Sequence, residues 1–417
     1  MFRPFPAPAA LARARLLLLG AFALSGLIVF SWLARIPSIR DALSLTATEL
    51  GVILLVGSVG ALATVFSSAS ILERFGSARV FATGAVVMTI GFVLMGVGPA
   101  LASRWLFGLG IVINGIGGAL LNVPMNVEST RIEQAYGRSV IPHFHAAFSA
   151  GAVAGSVLGA TASSAGVAVV VQFAVVGVLV GALRLAALAG GMVLPGRVRK
   201  PRDAGGRHSR GALAVWTEPR TLLLGVVAFG AALSEGAANN WLAIAFVDGF
   251  GVTEATGGLA LGLFIASMTV VRVFGTRLMD RLGRVVTLQL SGLAGVAGLA
   301  LFGLAPGPAA AVAGVALWGV GAALCFPIAV AAASDDPSRA PARVSVMASL
   351  GSVATMTTAP LIGFAAAGLG STQHALLVVL VALFASLAVA RWVGPAGTLV
   401  ADPVEILADQ RQSVPAA

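Results

Sequence analysis

The 417-residue chain has a single cysteine, Cys325, and very little charge. One thiol excludes an internal disulfide and any CxxC metal or redox motif. Asp, Glu, Lys and Arg together are only 10% of the residues, against roughly 25% in a soluble globular domain. A soluble protein of this length must cover its surface with polar groups, and too few are available here. The sequence also has no HExxH helix, no Walker loop and no GxSxG elbow. Metalloprotease, nucleotide-hydrolysing and serine-hydrolase chemistries therefore lack their residues, and no enzyme activity or cofactor is implied. No aromatic-interleaved basic patch speaks for nucleic acid, despite a formal net charge of +10.

Apolar residues take up what the charged ones leave: 58% of the chain is AVILMFWYC, and 52 residues are glycine. Most of the surface must then face a medium as apolar as the interior, namely lipid. The apolar runs are long and unalternated. They suit helices of about 20 residues rather than barrel strands of about ten. Twelve spans are expected, near 16–36, 49–71, 79–98, 104–126, 142–164, 167–193, 221–246, 256–276, 285–304, 309–333, 344–367 and 372–393. The first follows Arg3, Arg13 and Arg15, but is too long for a signal-peptide core and is followed by further spans.

An even number of spans places both termini on one side. With the termini inside, 21 of the 26 basic residues fall in inner segments. Arg35, Arg40 and Arg104 lie outside, and Arg184 and Arg272 lie within spans. This is a strong positive-inside bias; it explains the net charge and places both termini on the cytoplasmic side of the membrane. Arg184 and Arg272 are expected to snorkel to the cytoplasmic face. Arg35 can do the same outside, or meet an anionic substrate. The largest basic cluster, from Arg197 to Arg220, divides the chain almost in half. It reads as a solvated linker, with anionic lipid head groups as the sharper alternative.

The halves repeat one another. Trp32-Leu33-Ala34 matches Trp241-Leu242-Ala243, and Glu73-Arg74-Phe75-Gly76 matches Asp280-Arg281-Leu282-Gly283. Gly115, Gly117, Ala119 and Leu120, with Pro124 following, match Gly319, Gly321, Ala323 and Leu324, with Pro327 following. Ser149, Gly151, Val153 and Ala154 match Ser349, Gly351, Val353 and Ala354. Six spans restore the orientation, so the repeats are parallel. Such an arrangement suits alternating access around a site between the halves.

With these residues in view, the chain resembles the major facilitator superfamily over nearly its whole length. That resemblance implies an all-α membrane protein of 12 transmembrane helices in two pseudo-symmetric six-helix bundles. The expected bounds are 1–194 and 221–393, with a linker at 195–220 and a cytoplasmic tail at 394–417. The family's acidic-Arg-x-Gly loop between the second and third spans is matched by Glu73, Arg74 and Gly76. Its echo is Asp280, Arg281, Gly283 and Arg284. The resemblance makes these a gating latch, although Ala69 and Ser77-Ala78 depart from the first copy. The stretch Phe144-His145-Ala146-Ala147-Phe148-Ser149 resembles a poorly characterised bacterial branch and implies no substrate.

Glu235 is the most informative single residue. It stands mid-span, where a carboxylate costs a few kcal/mol and where burial favours uptake and release of protons. No basic residue lies three or four positions away on its own helix. The plain alternative is a protonated Glu bonded to helix backbone. Asn239 shares its face, with Asn240 and Trp241 beside it. Asn114 and Asn122 flank Gly118 on the fourth span, where interhelical bonding competes with ligand binding. Ser25 and Trp32 share a stripe on the first span. The resembled family lines its cavity with spans one, four, seven and ten. That raises Trp32, Asn114, Glu235, Trp241 and Trp318 as candidates for contact with a small-molecule substrate. His143 and His145 lack the further ligands a metal needs, so no metal site is expected; His145 is a relay or gating candidate beside a plain helix-start role. Gly151, Gly155 and Gly159 make a face for close helix packing. The expectation is a monomeric, proton-coupled secondary transporter of a small organic solute. Drug-like efflux and a non-transporting sensor or lipid-handling protein stand as alternatives.

Overall fold

The computed structural model describes residues 8–194, 215–336 and 339–394. Of the expected linker only 215–220 lies among them, and of the tail only 394. Among the described residues every regular element is helical. The first half comprises α1 (Pro8–Leu33), the short α2 (Ile36–Ala42), α3 (Ala47–Ala100), α4 (Arg104–Tyr136), α5 (Ile141–Ser164) and α6 (Val169–Ala189). The second comprises α7 (Pro219–Phe250), α8 (Glu254–Gly303), α9 (Pro308–Ala322), α10 (Cys325–Ala333), α11 (Ala340–Leu369), α12 (Thr372–Ala375) and α13 (Val379–Ala388). Among the described residues eleven helical segments are long and apolar enough to cross a membrane, and a shorter apolar one, Thr372–Ala388, stands where the twelfth span is expected.

Spans two and three run on as α3, turned only at Gly76 (φ 79°, ψ 159°). Spans eight and nine do the same in α8 at Gly283 (φ 74°, ψ 164°). Nothing stands within 4 Å of where a Cβ would sit on either. The left-handed backbone, not crowding, calls for glycine there. The repeat read in the sequence is therefore a repeat of backbone geometry. Caps echo it as well: the Thr46 hydroxyl accepts from the Glu49 N–H in a full capping box, and Thr253 accepts from the Thr256 N–H.

Two elements depart from expectation. α4 continues to Tyr136, where Gly137 (φ 64°) stops it; its polar last turns extend beyond the apolar stretch. Span ten breaks between α9 and α10, just ahead of Pro327. Proline has no N–H, so the Ala323 carbonyl four residues earlier loses its helical donor.

Glycines set the closest packing. A Cβ on Gly151 would stand 1.9 Å from the Ala23 carbonyl oxygen, and one on Gly155 would stand 2.3 Å from that of Leu27. The glycine face of α5 thus lies directly on the backbone of α1. Within the first half, α1 packs on α5 and α6, and α3 packs on α4 and α6; within the second, α8 packs on α9, and α7 packs on α8, α11 and α13. The halves meet through α5–α8 and α3–α11.

Those meetings are tightest at one end, here called the far end, which carries the connections at 34–46 (with α2), 165–168, 251–253 and 370–371. A Cβ on Gly51 would be 2.6 Å from the Ala359 carbonyl, and one on Gly363 would be 2.6 Å from that of Ala47. The near end holds Gly76, Gly283, the loop at 137–140 and residues 334–336. There the bundles diverge around a cavity.

Candidate functional site

The cavity holds about 610 Å³ and is lined by spans two, seven, ten and eleven. Ser58, Leu62 and Val65 come from α3, and Glu235, Gly236 and Asn239 from α7. Phe326 comes from α10, and Ser352, Thr355 and Met356 from α11. Glu235 and Asn239 are one turn apart on one face, as their spacing requires.

Glu235 has a partner that its own helix could not provide. The Arg272 guanidinium on α8 donates to its carboxylate at 2.9 Å, with both side chains 33% exposed. Arg272 Nε donates to the Ala323 carbonyl at 3.1 Å. That is the carbonyl freed by Pro327, so the helix break makes an acceptor that orients the arginine. Three spans are joined at the cavity wall. His145, exposed on α5 of the opposite bundle, lies edge-on to Phe22 with ring centroids 5.9 Å apart.

The remaining candidates are distributed unevenly. Asn239 Oδ1 and Asn114 Nδ2 are buried without a hydrogen-bond partner. Asn122 is exposed and accepts from Asn126 at 2.9 Å, on the stretch of α4 that follows Gly118, where open space surrounds the Cβ position. Ser25 is half-buried and Trp32 partly so, both packed in the first bundle; Asn240 is half-buried beside Trp241. Trp241 is fully buried and its indole N–H is unpartnered. Trp318 is fully buried within the second bundle; it donates to Ser234 Oγ at 2.8 Å and packs edge-on against Phe264. These tryptophans form inner walls of the bundle rather than an exposed lining in this conformation.

Three arginines lie elsewhere than expected: Arg272 does not snorkel to the cytoplasmic face but turns to Glu235 and the Ala323 carbonyl. Arg184 does not snorkel: it is 1% exposed and points inward to Ser25. Arg35 is buried at the far end, where it donates to Gln172 and the Val167 carbonyl and stands 3.1 Å from Glu254. The snorkelling expectation weighed each arginine by its depth in a span and not by the acceptors on neighbouring spans.

The model of the Major Facilitator Superfamily matches residues 16–357 and 224–406. The chain belongs to that superfamily. It is a multi-pass membrane transporter, not an enzyme. It is 28% identical over 316 residues to an uncharacterized transporter, y4wD, of Sinorhizobium fredii, covering 76% of this chain and 81% of that one. Among solved structures, the fold is similar to the nucleoside transporter NupG, with TM-score 0.70 and 15% identity over 93% of this chain and 100% of that one. It is also similar to the E. coli fucose:proton symporter FucP, with TM-score 0.62 and 16% identity over 94% and 100%.

In this superfamily member the loop residues at the near end stand apart. Glu73, Arg74, Asp280 and Arg281 are exposed, and Arg74 covers the Phe75 ring. Arg284 is held within its own bundle by Asp335, which also accepts from Arg220 at 2.8 Å. Partial burial pushes the Asp335 carboxyl up, but the hydrogen bonds and charges of Arg220 and Arg284 outweigh it and hold it below the usual carboxylate range. At the far end the bundles are joined. Glu254 accepts from the Ser38 N–H at 2.8 Å and from the Ser38 and Ser163 hydroxyls at 2.6 Å each. Arg40 donates to Asp248 at 3.0 Å. The sequence reading missed Glu254; the one signal for it was its place in the first turn after the Thr253 cap.

Proposed function

We propose that the protein is a secondary active transporter of a bacterial inner membrane, moving a small polar organic solute by alternating access with protons as the coupling ion. The observation that carries this is the Glu235–Arg272 pair on the wall of a cavity between two bundles that are closed at one end only. The basic-residue bias makes the near end cytoplasmic, so the conformation is inward-facing with both termini inside; a reporter fused at the C-terminus should then signal cytoplasm, and a periplasmic signal contradicts it. A proton on Glu235 removes the ion pair and leaves Arg272 with the Ala323 carbonyl, which loosens three spans at once. His145 is the second coupling candidate. The latch residues Glu73, Arg74, Asp280 and Arg281 engage in the opposite, outward-facing state.

The unpartnered Asn239 Oδ1, Asn114 Nδ2 and Trp241 Nε1 favour a polar solute, because a buried polar group without a partner is costly and a ligand can supply one. Asn122, Asn240, Ser25, Trp32 and Trp318 complete the surface offered over the cycle. Leu62, Val65, Phe326 and Met356, which line the cavity beside Asn239, support a second reading, efflux of amphipathic drug-like molecules. Counterflow in proteoliposomes tests the proposal: preloaded unlabelled solute should drive transient accumulation of the labelled form. A solute that binds yet shows no counterflow would make the protein a sensor or lipid-handling protein instead.

A further inference from the structure

The coupling scheme leaves one buried charge unused. Arg184, on α6, is 1% exposed inside the first bundle. One terminal nitrogen donates to Ser25 Oγ at 3.0 Å and the other to the Met88 thioether at 3.1 Å, while Nε has no acceptor. A hydroxyl is neutral and a thioether accepts weakly. Among the described residues no carboxylate pairs with this guanidinium, whereas Arg35, Arg131 and Arg272 each stand against one. A buried charge without its counter-charge is strongly unfavourable, and ionisable groups kept within the membrane usually serve the transported species.

Ser25 shows how such a species would arrive. It is half-buried at the seam of spans one and four, 3.9 Å from Met125 Sδ. Asn122 lies three residues before Met125 on α4 and is exposed, and Gly118 one turn earlier has open space at its Cβ position. The Ser25 hydroxyl is thus the group that stands between the guanidinium and this part of α4. Its free Nε adjoins the nitrogen that holds Ser25. Together they make the edge that a carboxylate or phosphate grips with two parallel hydrogen bonds.

We infer that Arg184 and Ser25 form an anion-binding locus, and that the transported solute carries a carboxylate or phosphate group. The inference rests on the transporter reading and specifies the solute class within it. Glu235 does not compete for this cation, being held by Arg272 in the other bundle.

The test uses the purified full chain and thermal-shift titrations with benzoate, lactate and nicotinate, their matching amides, and inorganic phosphate. The wild type should bind at least one acid, or phosphate, at least tenfold more tightly than the neutral amides. Arg184→Gln should abolish that preference, Arg184→Lys should keep part of it, and Ser25→Ala should weaken it severalfold. A carboxylate preference and a phosphate preference assign the two sources of the anionic group. The proposal is overturned if no anion is preferred over the amides, or if Arg184→Gln retains the preference. Should Arg184→Gln fail to give a monodisperse protein, the wild-type preference and the Ser25→Ala titration decide. Amide counterflow without acid preference keeps the transporter and removes the anion site. An acid preference lost in Arg184→Gln, with no counterflow of any solute, does the reverse.

Discussion

Glu254 is the residue through which the far end should be most easily opened. Its carboxylate takes three hydrogen bonds from Ser38 and Ser163 and lies beside Arg35, all on the opposite bundle. Arg35 Nε is at ion-pair distance without hydrogen-bond alignment. Glu254→Gln keeps the shape but removes the charge. Hydrogen bonds to a charged group contribute about 1.5–3 kcal/mol and neutral ones about 0.5–1.5, so three weakened bonds lose about 3 kcal/mol. Breaking a buried pair outright costs about 3–5 kcal/mol; the lower end applies because Arg35 retains Gln172 and the Val167 carbonyl. At about 1.4 kcal/mol per decade, the ratio of far-closed to far-open forms should fall on the order of a hundredfold. The assay is labelling by a membrane-impermeant maleimide at Thr48→Cys, a seam position where the native hydroxyl lies 3.5 Å from the Gly363 carbonyl. Buried Cys325 is first replaced by serine. Labelling should speed up at least tenfold in Glu254→Gln, while a cysteine at Ser352 in the near-end cavity should become less accessible. Unchanged rates at both positions in a well-folded variant would refute the reasoning.

Three further outcomes are expected. Gly151→Ala places a methyl 1.9 Å from a backbone oxygen where ordinary contact begins at 3.4 Å; α1 and α5 must part by about 1.5 Å, costing about 1–3 kcal/mol, and a melting temperature equal to the wild type's would contradict this packing. Asp335 is held below the usual carboxylate range when folded, so its stabilisation is present above the unfolded value of about 3.9 and is lost as pH falls through the lower folded value. Melting curves of the wild type should therefore drop at acid pH more steeply than those of Asp335→Asn, and parallel curves would remove Asp335 from the near-end network. Asp280→Asn should change the balance of cysteine accessibility at the two mouths more than it changes folded abundance; identical accessibilities would reduce the loop to topogenic charge.

The fold was legible because lipid imposes a simple code. Apolar runs of membrane length, a lopsided distribution of arginines and recurring Gly76 and Gly283 are all properties of local sequence, and each has a direct backbone counterpart. Glu235 stood out for the same reason: a carboxylate in mid-span is conspicuous. Its partner was harder to see. Arg272 lies within reach of a span end, where arginine ordinarily snorkels, and its pairing depends on how α7, α8 and α10 pack. The clue was available in Pro327, which frees one carbonyl, but not where that carbonyl would point. Trp318 illustrates the opposite difficulty, since depth in a span does not distinguish a cavity wall from a bundle interior. Glu254 and Arg184 were underrated because their meaning depends on contacts between distant spans.

Gradient-driven uptake compared with exchange at Glu235 tests the proton-coupled account most directly. In proteoliposomes, a solute identified by counterflow should accumulate in the wild type under an imposed pH gradient. Glu235→Gln mimics the protonated, unpaired carboxyl: it should bind and exchange that solute at near wild-type rates, yet fail to accumulate it. Normal accumulation by Glu235→Gln across the same gradient would contradict the account and move the coupling site elsewhere, with His145 next to be tested.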